Sequence, residues 1–359
     1  MTHAALRNRQ SAPPRRPDLP TEESVFDKYV RGGERALDAD DWAVVQNTMS
    51  TTTSSEGGYA VPSTVATSVF NLMKTYGAMH AVAEYVPTSD GSALPFPTSD
   101  GTSEVGELIA QNVTATGADP SFGTTSIPPH KFSSKVVAVP YELLQDAAAD
   151  LDPWLAQRLA DRIARASNAY FTTGTGTAQP FGIVTRAASG KVGTTGQTTS
   201  IIFDDLVDLI ASVDVAYRGP GCAFMMSDTA WKMVRKLKDS AGAPLFPPAA
   251  TAAPRVLVVD PKGVPLPSIA PAVAEYLLGY PVIINNDMAV PAANAKSILF
   301  GDLTKYKIRC VVGSGNMAMF RMVDSAYAKL GQVGFLTWVR MGGNLLDPNA
   351  VRYYAHSAT

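Results

Sequence analysis

Cysteine is scarce in this chain of 359 residues: Cys222 and Cys310 are the only two, too few for a disulfide framework. Each sits in an apolar, strand-like run, where a buried, reduced thiol is expected. Charge is thin as well. Charged residues make up 17% of the chain and the formal net charge is −2, so there is no global basic field of the kind that binds nucleic acid through its phosphates. No run of about 18 apolar residues occurs and the N-terminus lacks an apolar signal core, which points away from a membrane-spanning or secreted chain. His3, His80, His130 and His356 are scattered without metal-ligand spacing, and neither cysteine belongs to a Cys-x-x-Cys pair, so no metal site is expected. Catalytic signatures are missing too. Gly174 and Gly176 follow a helical pattern rather than a strand and lead to no Gly-Lys-Ser/Thr, so no phosphate cradle is present. There is no Gly-x-Ser-x-Gly elbow, and the paired Asp204 and Asp205 fall at a helix start, where the macrodipole favours them without catalysis. Neither an enzyme nor a cofactor is expected.

One absence is local. From Thr75 to Pro129 there is no Lys or Arg, while Glu84, Asp90, Asp100, Glu104, Glu107 and Asp119 are acidic. No helical period runs through residues 86–139; two strand candidates, Ala93 to Pro97 and Ser134 to Val139, bracket an excursion rich in Gly, Ser, Thr and Pro. A connection that long is functional or unstructured, and a lone hairpin is marginal in water. If ordered, the segment must lie on something else, and its acidity calls for a basic landing site.

What is present is dominated by Val139 to Gly182. Asp152 suits a helix N-cap and Pro153 the first helical position, where no N–H is needed. Leu155, Leu159, Ile163, Ala166 and Tyr170 recur at spacings of three and four and predict one apolar stripe. From Pro153 to Thr173, a rise of roughly 1.5 Å per residue gives a rod of about 30 Å, ended by Gly174 and Gly176. Arg158, Arg162 and Arg165 form a second, basic stripe about 90° away, expected to face outward.

Around this helix, 46% hydrophobic residues supply a sizeable core with room for two or three subdomains. Residues 1–20, with Arg7, Arg9, Arg15, Arg16 and four prolines, read as a mobile arm. Val25 to Gly32 and Asp38 to Met49 read as short helices, the second around Leu37, Trp42 and Val45. Ser50 to Ser55 reads as flexible. Downstream, Phe203 to Tyr217 is amphipathic and Cys222 to Met226 is a strand. A helix capped by Ser227 or Asp228 runs through Lys238, and Asp239 to Phe246 is a turn. Leu278 to Val282, Ile298 to Asp302 and Tyr306 to Val312 read as strands, Met319 to Arg340 and Ala350 to Tyr354 as antiparallel strands.

The order Glu142-Leu143-Leu144, long amphipathic helix, Gly174-Thr-Gly176 and Gln179-Pro180-x-Gly182-Ile183, preceded by Gly57-Gly58-Tyr59-Ala60-Val61-Pro62, resembles the tailed-bacteriophage major capsid proteins. The resemblance extends from about Val25 to the C-terminus, with Asp347-Pro348-Asn349-Ala350 fitting the family's closing turn. It implies the α+β phage capsid (Johnson) fold. By that analogy residues 1–58 are an N-terminal arm and 86–139 the extended loop. Residues 59–85, 140–186 and 313–359 form a peripheral domain around the spine helix, and 187–312 an axial domain with the strands of residues 278–312. Pro247 to Glu275, rich in Ala and Pro, is longer than the family pattern and reads as an exposed embellishment.

The implied function is a shell protein assembling as hexamers and pentamers into an icosahedral head around double-stranded DNA bound without sequence specificity. It implies portal and cement or decoration proteins as partners, no membrane, and assembly in the bacterial host cytoplasm. Relatives place a long helical scaffolding segment before the arm. Only about two dozen residues precede Val25 and they carry no heptads, so a separate scaffold protein is expected unless the sequence records a shortened product, against which the start at Met1 argues mildly. One branch of the family joins a loop lysine to a neighbour's asparagine with help from a glutamate. The loop from Pro95 to Pro129 has no lysine, and the other two positions fall near Gly331 and Trp338, so a non-covalent shell is expected. Asp100, Glu104 and Glu107 are then candidates to pair with Arg158, Arg162 and Arg165 of a neighbour, the equal alternative being a solvated helix face with partners in its own chain such as Asp161. An encapsulin-type compartment, which shares the fold and encloses an enzyme, is the alternative.

Overall fold

A helix of 23 residues, Leu151–Thr173, is the element on which both sheets of the fold converge. The computed structural model describes residues 25, 28, 36–41, 59–60, 77–92, 94–99, 107–109, 111–112, 114, 122–146, 151–246, 273–311, 317–323 and 325–359. Leu151 is already helical, so Asp152 is not the cap; it and Pro153 lie in the first turn, where a missing N–H forfeits no intrahelical bond. The helix stops at Thr173 because Gly174 makes a close approach that leaves no room for a Cβ: one would lie 2.3 Å from the Pro180 carbonyl oxygen. Its buried face also departs from the expected stripe. Leu155, Leu159 and Ile163 are buried, but Tyr170 is exposed, and the last turns point Ser167, Asn168, Phe171 and Thr172 inward. The direction that faces the core turns along the helix, from Leu155, Leu159 and Ile163 to Ser167, Asn168, Phe171 and Thr172, which leaves Tyr170, on the Leu155 side, outside it.

In chain order the strands are β1 (Tyr59–Ala60), β2 (Glu84–Thr88), β3 (Leu94–Ser99), β4 (Phe122–Ile127), β5 (His130–Ser133), β6 (Val137–Pro140) and β7 (Ala188–Val192). They continue with β8 (Cys222–Met226), β9 (Val273–Leu277), β10 (Tyr280–Ile284), β11 (Lys296–Asp302), β12 (Tyr306–Val311), β13 (Met317–Met322), β14 (Gln332–Leu345) and β15 (Val351–Ala355). A seven-stranded sheet runs β1-β13-β14-β12-β2, with β5 and β6 also pairing with the long β14. A six-stranded sheet runs β7-β15-β11-β8-β10-β9, and β3 and β4 pair only with each other. Ile308, Cys310, Val339 and Met341 of the first sheet and Met225, Ile283, Leu299 and Val351 of the second share one core with Ala160, Ile163 and Phe171 of the long helix. The other face of the six-stranded sheet packs Phe224, Phe300 and Tyr354 against two helices, Phe203–Ala211 and Asp228–Arg235. Ser227 caps the second of these, as its sequence predicts, by accepting from the Ala230 N–H.

Several expected strands are redrawn. Ser134 to Val139 is not one strand: Lys135 takes φ +54°, and Ser134 bridges β5 and β6 by exchanging hydrogen bonds with the Thr337 backbone through its own N–H and Oγ. The excursion closes on β4 instead, and β5 and β6 join the body. Leu278 and Gly279, read as part of a strand, take φ +51° and +86°, the two-residue turn of a β9–β10 hairpin. Tyr306–Val311, grouped from the sequence with the strands at 280–284 and 296–302, pairs with β2 and β14 in the other sheet. Val351–Ala355, expected back at the long helix, pairs with β11 and β7. The helices predicted over Phe203 to Tyr217 and through Lys238 end earlier, at Ala211 and Arg235. Near the N-terminus, Val25 and Lys28 are helical and Lys28 pairs with the buried Asp41 at 2.7 Å. The arginines of residues 1–20, Trp42, Gly57-Gly58 and the expected embellishment up to residue 272 lie outside the described residues, and residues 273–275 open β9.

The base of the β3–β4 hairpin is seated on β14. The Asn344 amide donates to the Ser126 carbonyl at 3.0 Å, and Gly342 lies so close that a Cβ there would stand 2.2 Å from the Pro128 carbonyl oxygen. Backbone on backbone at that distance leaves only glycine.

Polar groups on the buried end of the long helix are fully used. Asn168 accepts from the Met79 N–H at 2.9 Å and donates to Asn285 Oδ1 at 2.9 Å and to Asp287, tying the helix Ala78–Val82 to the end of β10. Ser167 donates to the Ile163 carbonyl, so its oxygen accepts from His80 Nε2 at 2.6 Å; Nδ1 then accepts from the Tyr85 hydroxyl at 2.6 Å. Burial pushes the His80 pKa down from 6.5 to about 3, which keeps the ring neutral.

The folded chain therefore takes up that proton less readily than the unfolded one. The stability tied to His80 is fully present above pH 6.5 and is lost as pH falls toward 3, at about 1.4 kcal/mol per pH unit within that window. Urea midpoints should fall between pH 7 and pH 5. His80→Gln, weaker by about 1–3 kcal/mol at pH 7, should show a smaller fall; equal slopes for the two proteins would refute the assignment. In the same assay Gly342→Ala should cost about 1–3 kcal/mol from forced backbone displacement. Gly91→Ala, whose Cβ would meet only the mobile tip of Arg340, should cost clearly less.

Candidate assembly surfaces

Shell formation needs surfaces that a single subunit leaves unfinished. The first lies beyond the paired strands β3 and β4, which run from Leu94↔Ile127 at the base to Ser99↔Phe122. Leu108 is 103% exposed and Ile109 is 41% exposed, so this excursion carries apolar side chains into water. Glu107, beside them, is exposed; Asp100 and Glu104 lie outside the described residues.

At the base of the excursion stands Arg309, which the sequence left unremarked inside the alternating run of β12. Its side chain is 1% exposed. Nε donates to Thr88 Oγ1 at 2.9 Å, Nη1 to the carbonyls of Ser92 and Ile127, and Nη2 to the Asp90 carbonyl at 2.8 Å. The Asp90 carboxylate is 3.5 Å away. Burial lowers the guanidinium pKa, Asp90 opposes that, and Arg340 adds to it. The only signal in the sequence was an arginine between Ile308 and Cys310, both inward-facing apolar positions.

The second surface is the outer face of the long helix. Arg158, Arg162 and Arg165 are exposed there, as expected from the spacing, with Trp154 and Tyr170 also in water. Two of the arginines have partners within the chain. Arg165 forms an ion pair with Asp161 at 2.8 Å, one helical turn away, and Arg162 donates to the Val136 carbonyl at 3.0 Å.

The positions matched to the crosslinking residues of relatives are also placed. Gly331 takes φ +61° in the turn before β14, and Trp338 lies on β14 with Lys131 Nζ 4.0 Å from its ring centroid, a cation–π contact.

In the turn after the long helix three glycine N–H groups are taken by the chain itself. The N–H groups of Gly174, Gly176 and Gly182 donate to the carbonyls of Tyr170, Pro180 and Gly174. Both cysteines are buried and free, with burial pushing Cys222 up to about 11 and Cys310 up to about 12, which keeps them as thiols at neutral pH. Among the described residues no cluster of His, Cys, Asp or Glu could hold a metal ion, and no helix is long and apolar enough to cross a membrane.

The model of the phage capsid family matches residues 57–355. No curated protein sequence matches the chain. Among solved structures, the capsid of a native GTA particle computed with C5 symmetry is 25% identical, with a TM-score of 0.61 over 91% of this chain and 97% of that one. The capsid of an empty GTA particle is 26% identical, with a TM-score of 0.59 over 79% of this chain and 97% of that one. The Gordonia phage Cozz structure, 17% identical with a TM-score of 0.51 over 79% and 87% of the two chains, shares the fold. Because the matched span takes in the long helix and every strand from β1 to β15, the chain belongs to the phage capsid family and is a structural protein of the virion shell.

Proposed function

We propose that many copies of this chain close, as hexamers and pentamers, into the icosahedral head that holds packaged double-stranded DNA. The observation that carries this reading is the exposed apolar end of the β3–β4 excursion, where Leu108 is as open to water as in an isolated peptide. Burying such side chains against a neighbour gains roughly 1.5–3 kcal/mol each, and closed symmetry repeats the gain over every subunit. The GTA particle capsids among the similar structures support the same reading. Within the Johnson fold, the seven-stranded sheet and the long helix serve as the peripheral domain and the six-stranded sheet as the axial one. Residues 86–139 serve as the extended loop and 1–58 as the arm. A separate scaffold protein directs assembly in the host cytoplasm, a portal occupies one vertex, and cement proteins can bind outside.

The shell is non-covalent, because the loop between Pro95 and Pro129 lacks a lysine and β14 offers Trp338 where relatives place a reactive group. In its place, Asp100, Glu104 and Glu107 of one subunit meet Arg158, Arg162 and Arg165 of the next. Arginine forks pair bidentately with carboxylates. At a contact that excludes water, stranding one partner costs roughly 2–5 kcal/mol.

Electron microscopy of the purified protein should show shells, tubes or capsomers; a strictly monomeric protein at high concentration would overturn the reading, and particles filled with a protein cargo would favour the encapsulin alternative. Mature shells boiled in detergent should run as single-chain bands, against which a reduction-resistant ladder would count. Glu104→Lys with Glu107→Lys should abolish assembly, and adding Arg158→Glu and Arg162→Glu should restore part of it. Normal assembly of the first variant removes the pairing.

A further inference from the structure

We propose that Arg309 is the clasp that fixes the direction in which the β3–β4 hairpin leaves the body, so that assembly depends on it more than subunit folding does. This rests on the self-assembly reading above. The acceptors of its guanidinium come from both ends of the excursion: Thr88 Oγ1 and the carbonyls of Asp90 and Ser92 where the chain leaves β2, and the Ile127 carbonyl where it returns. No other described strand pairs with β3 or β4, so the hairpin's backbone is tied to the body through its base.

The geometry that lets one side chain reach both ends is specific. Arg309 and Gly342 are register partners on adjacent strands and share a face of the sheet. With no side chain at Gly342, the guanidinium passes over β14 to Ile127, and the Pro128 backbone settles into the same gap. A buried cation is tolerated only when its donors are satisfied. Here most of the satisfaction comes from main-chain carbonyls, which cannot move without moving the hairpin. Among the described residues the only carboxylate against it, Asp90, is 69% exposed, so the clasp is held by backbone dipoles more than by an ion pair. The excursion has no Lys or Arg of its own between Thr75 and Pro129, so the cation at its base has to come from another part of the chain. Five fixed N–H donors on a planar fork explain why arginine is used, since a lysine ammonium cannot span four acceptors from two segments.

The test compares wild-type, Arg309→Met, Arg309→Lys and the double variant Thr88→Val/Asp90→Asn by hydrogen exchange on the unassembled subunit and by shell yield against concentration. The expected result for both Arg309 variants is exchange at least about tenfold faster over residues 94–99 and 122–127, unchanged protection in the six-stranded sheet, and a roughly tenfold higher concentration for assembly. The double variant, which keeps the contacts to the main-chain carbonyls of residue 90, Ser92 and Ile127, should be intermediate. Wild-type exchange in the hairpin of Arg309→Met overturns the proposal, as does faster exchange without any assembly defect. Loss of protection throughout Arg309→Met would make the residue a general core element and overturn it, unless the folded double variant loosens the hairpin alone. Failure of the wild-type protein to assemble would sink the self-assembly reading, while hairpin exchange would still decide whether Arg309 holds the base.

Discussion

One buried amide ties the long helix to the short helix Ala78–Val82 and to the end of β10. Asn168 uses its carbonyl oxygen for the Met79 N–H and both amide protons for Asn285 and Asp287, while Asn285 in turn donates to Thr172 Oγ1 at 2.8 Å. Such a network is worth having only when it is complete, because an unpaired polar group in this core would cost about 1–3 kcal/mol. Complete, it allows one register of the long helix between the sheets, since a turn of roughly 100° would replace Asn168 by a neighbour with different donors. His80, Ser167 and Tyr85 extend the same logic toward β2, where the excursion begins.

From that fixed centre the molecule becomes progressively less self-sufficient. The six-stranded sheet is covered on both faces by apolar side chains of its own chain. The seven-stranded sheet is covered on the helix side, and its other side carries Trp338, Arg340 and the seated hairpin. Past the hairpin, apolar residues stand in water. A shell protein needs this gradient: a rigid body that folds alone, and extensions whose burial is deferred until copies meet. Arg309 sits at the boundary between the two.

Much of this was legible in the sequence where a strong local signal existed. The long helix, its basic outer face, the strands at 222–226 and 298–302 and the Ser227 cap follow from spacing and capping chemistry, and the turn at Asp347 from the family resemblance. The order of motifs carried the family. Sequence reasoning failed where a residue's role depends on a distant partner. Tyr306–Val311 alternates like any strand, and nothing local says whether it joins Lys296–Asp302 or Glu84–Thr88. Leu278 looked like a strand residue because leucine rarely takes positive φ, and the hairpin turn overrides that preference. Arg309 drew no notice because its cover, the base of the hairpin, comes from residues 180 or more positions earlier in the chain.

The sequence by itself determined what is periodic, capped or compositionally lopsided. That includes the long helix, the acid-only excursion without lysine, the buried thiols and the membership of the phage capsid family. Those properties are written in neighbouring residues, within a few helical turns or strand lengths. Only the tertiary structure decided that the helix buries Ser167, Asn168 and Thr172, that β12 and β15 exchange sheets relative to expectation, and that one guanidinium closes the excursion. Each of these is a pairing between hydrogen-bonding groups far apart in the chain, and many pairings satisfy the same local pattern. The fold selects the one in which Ser167, Asn168, Asn285 and the Arg309 guanidinium all find their partners.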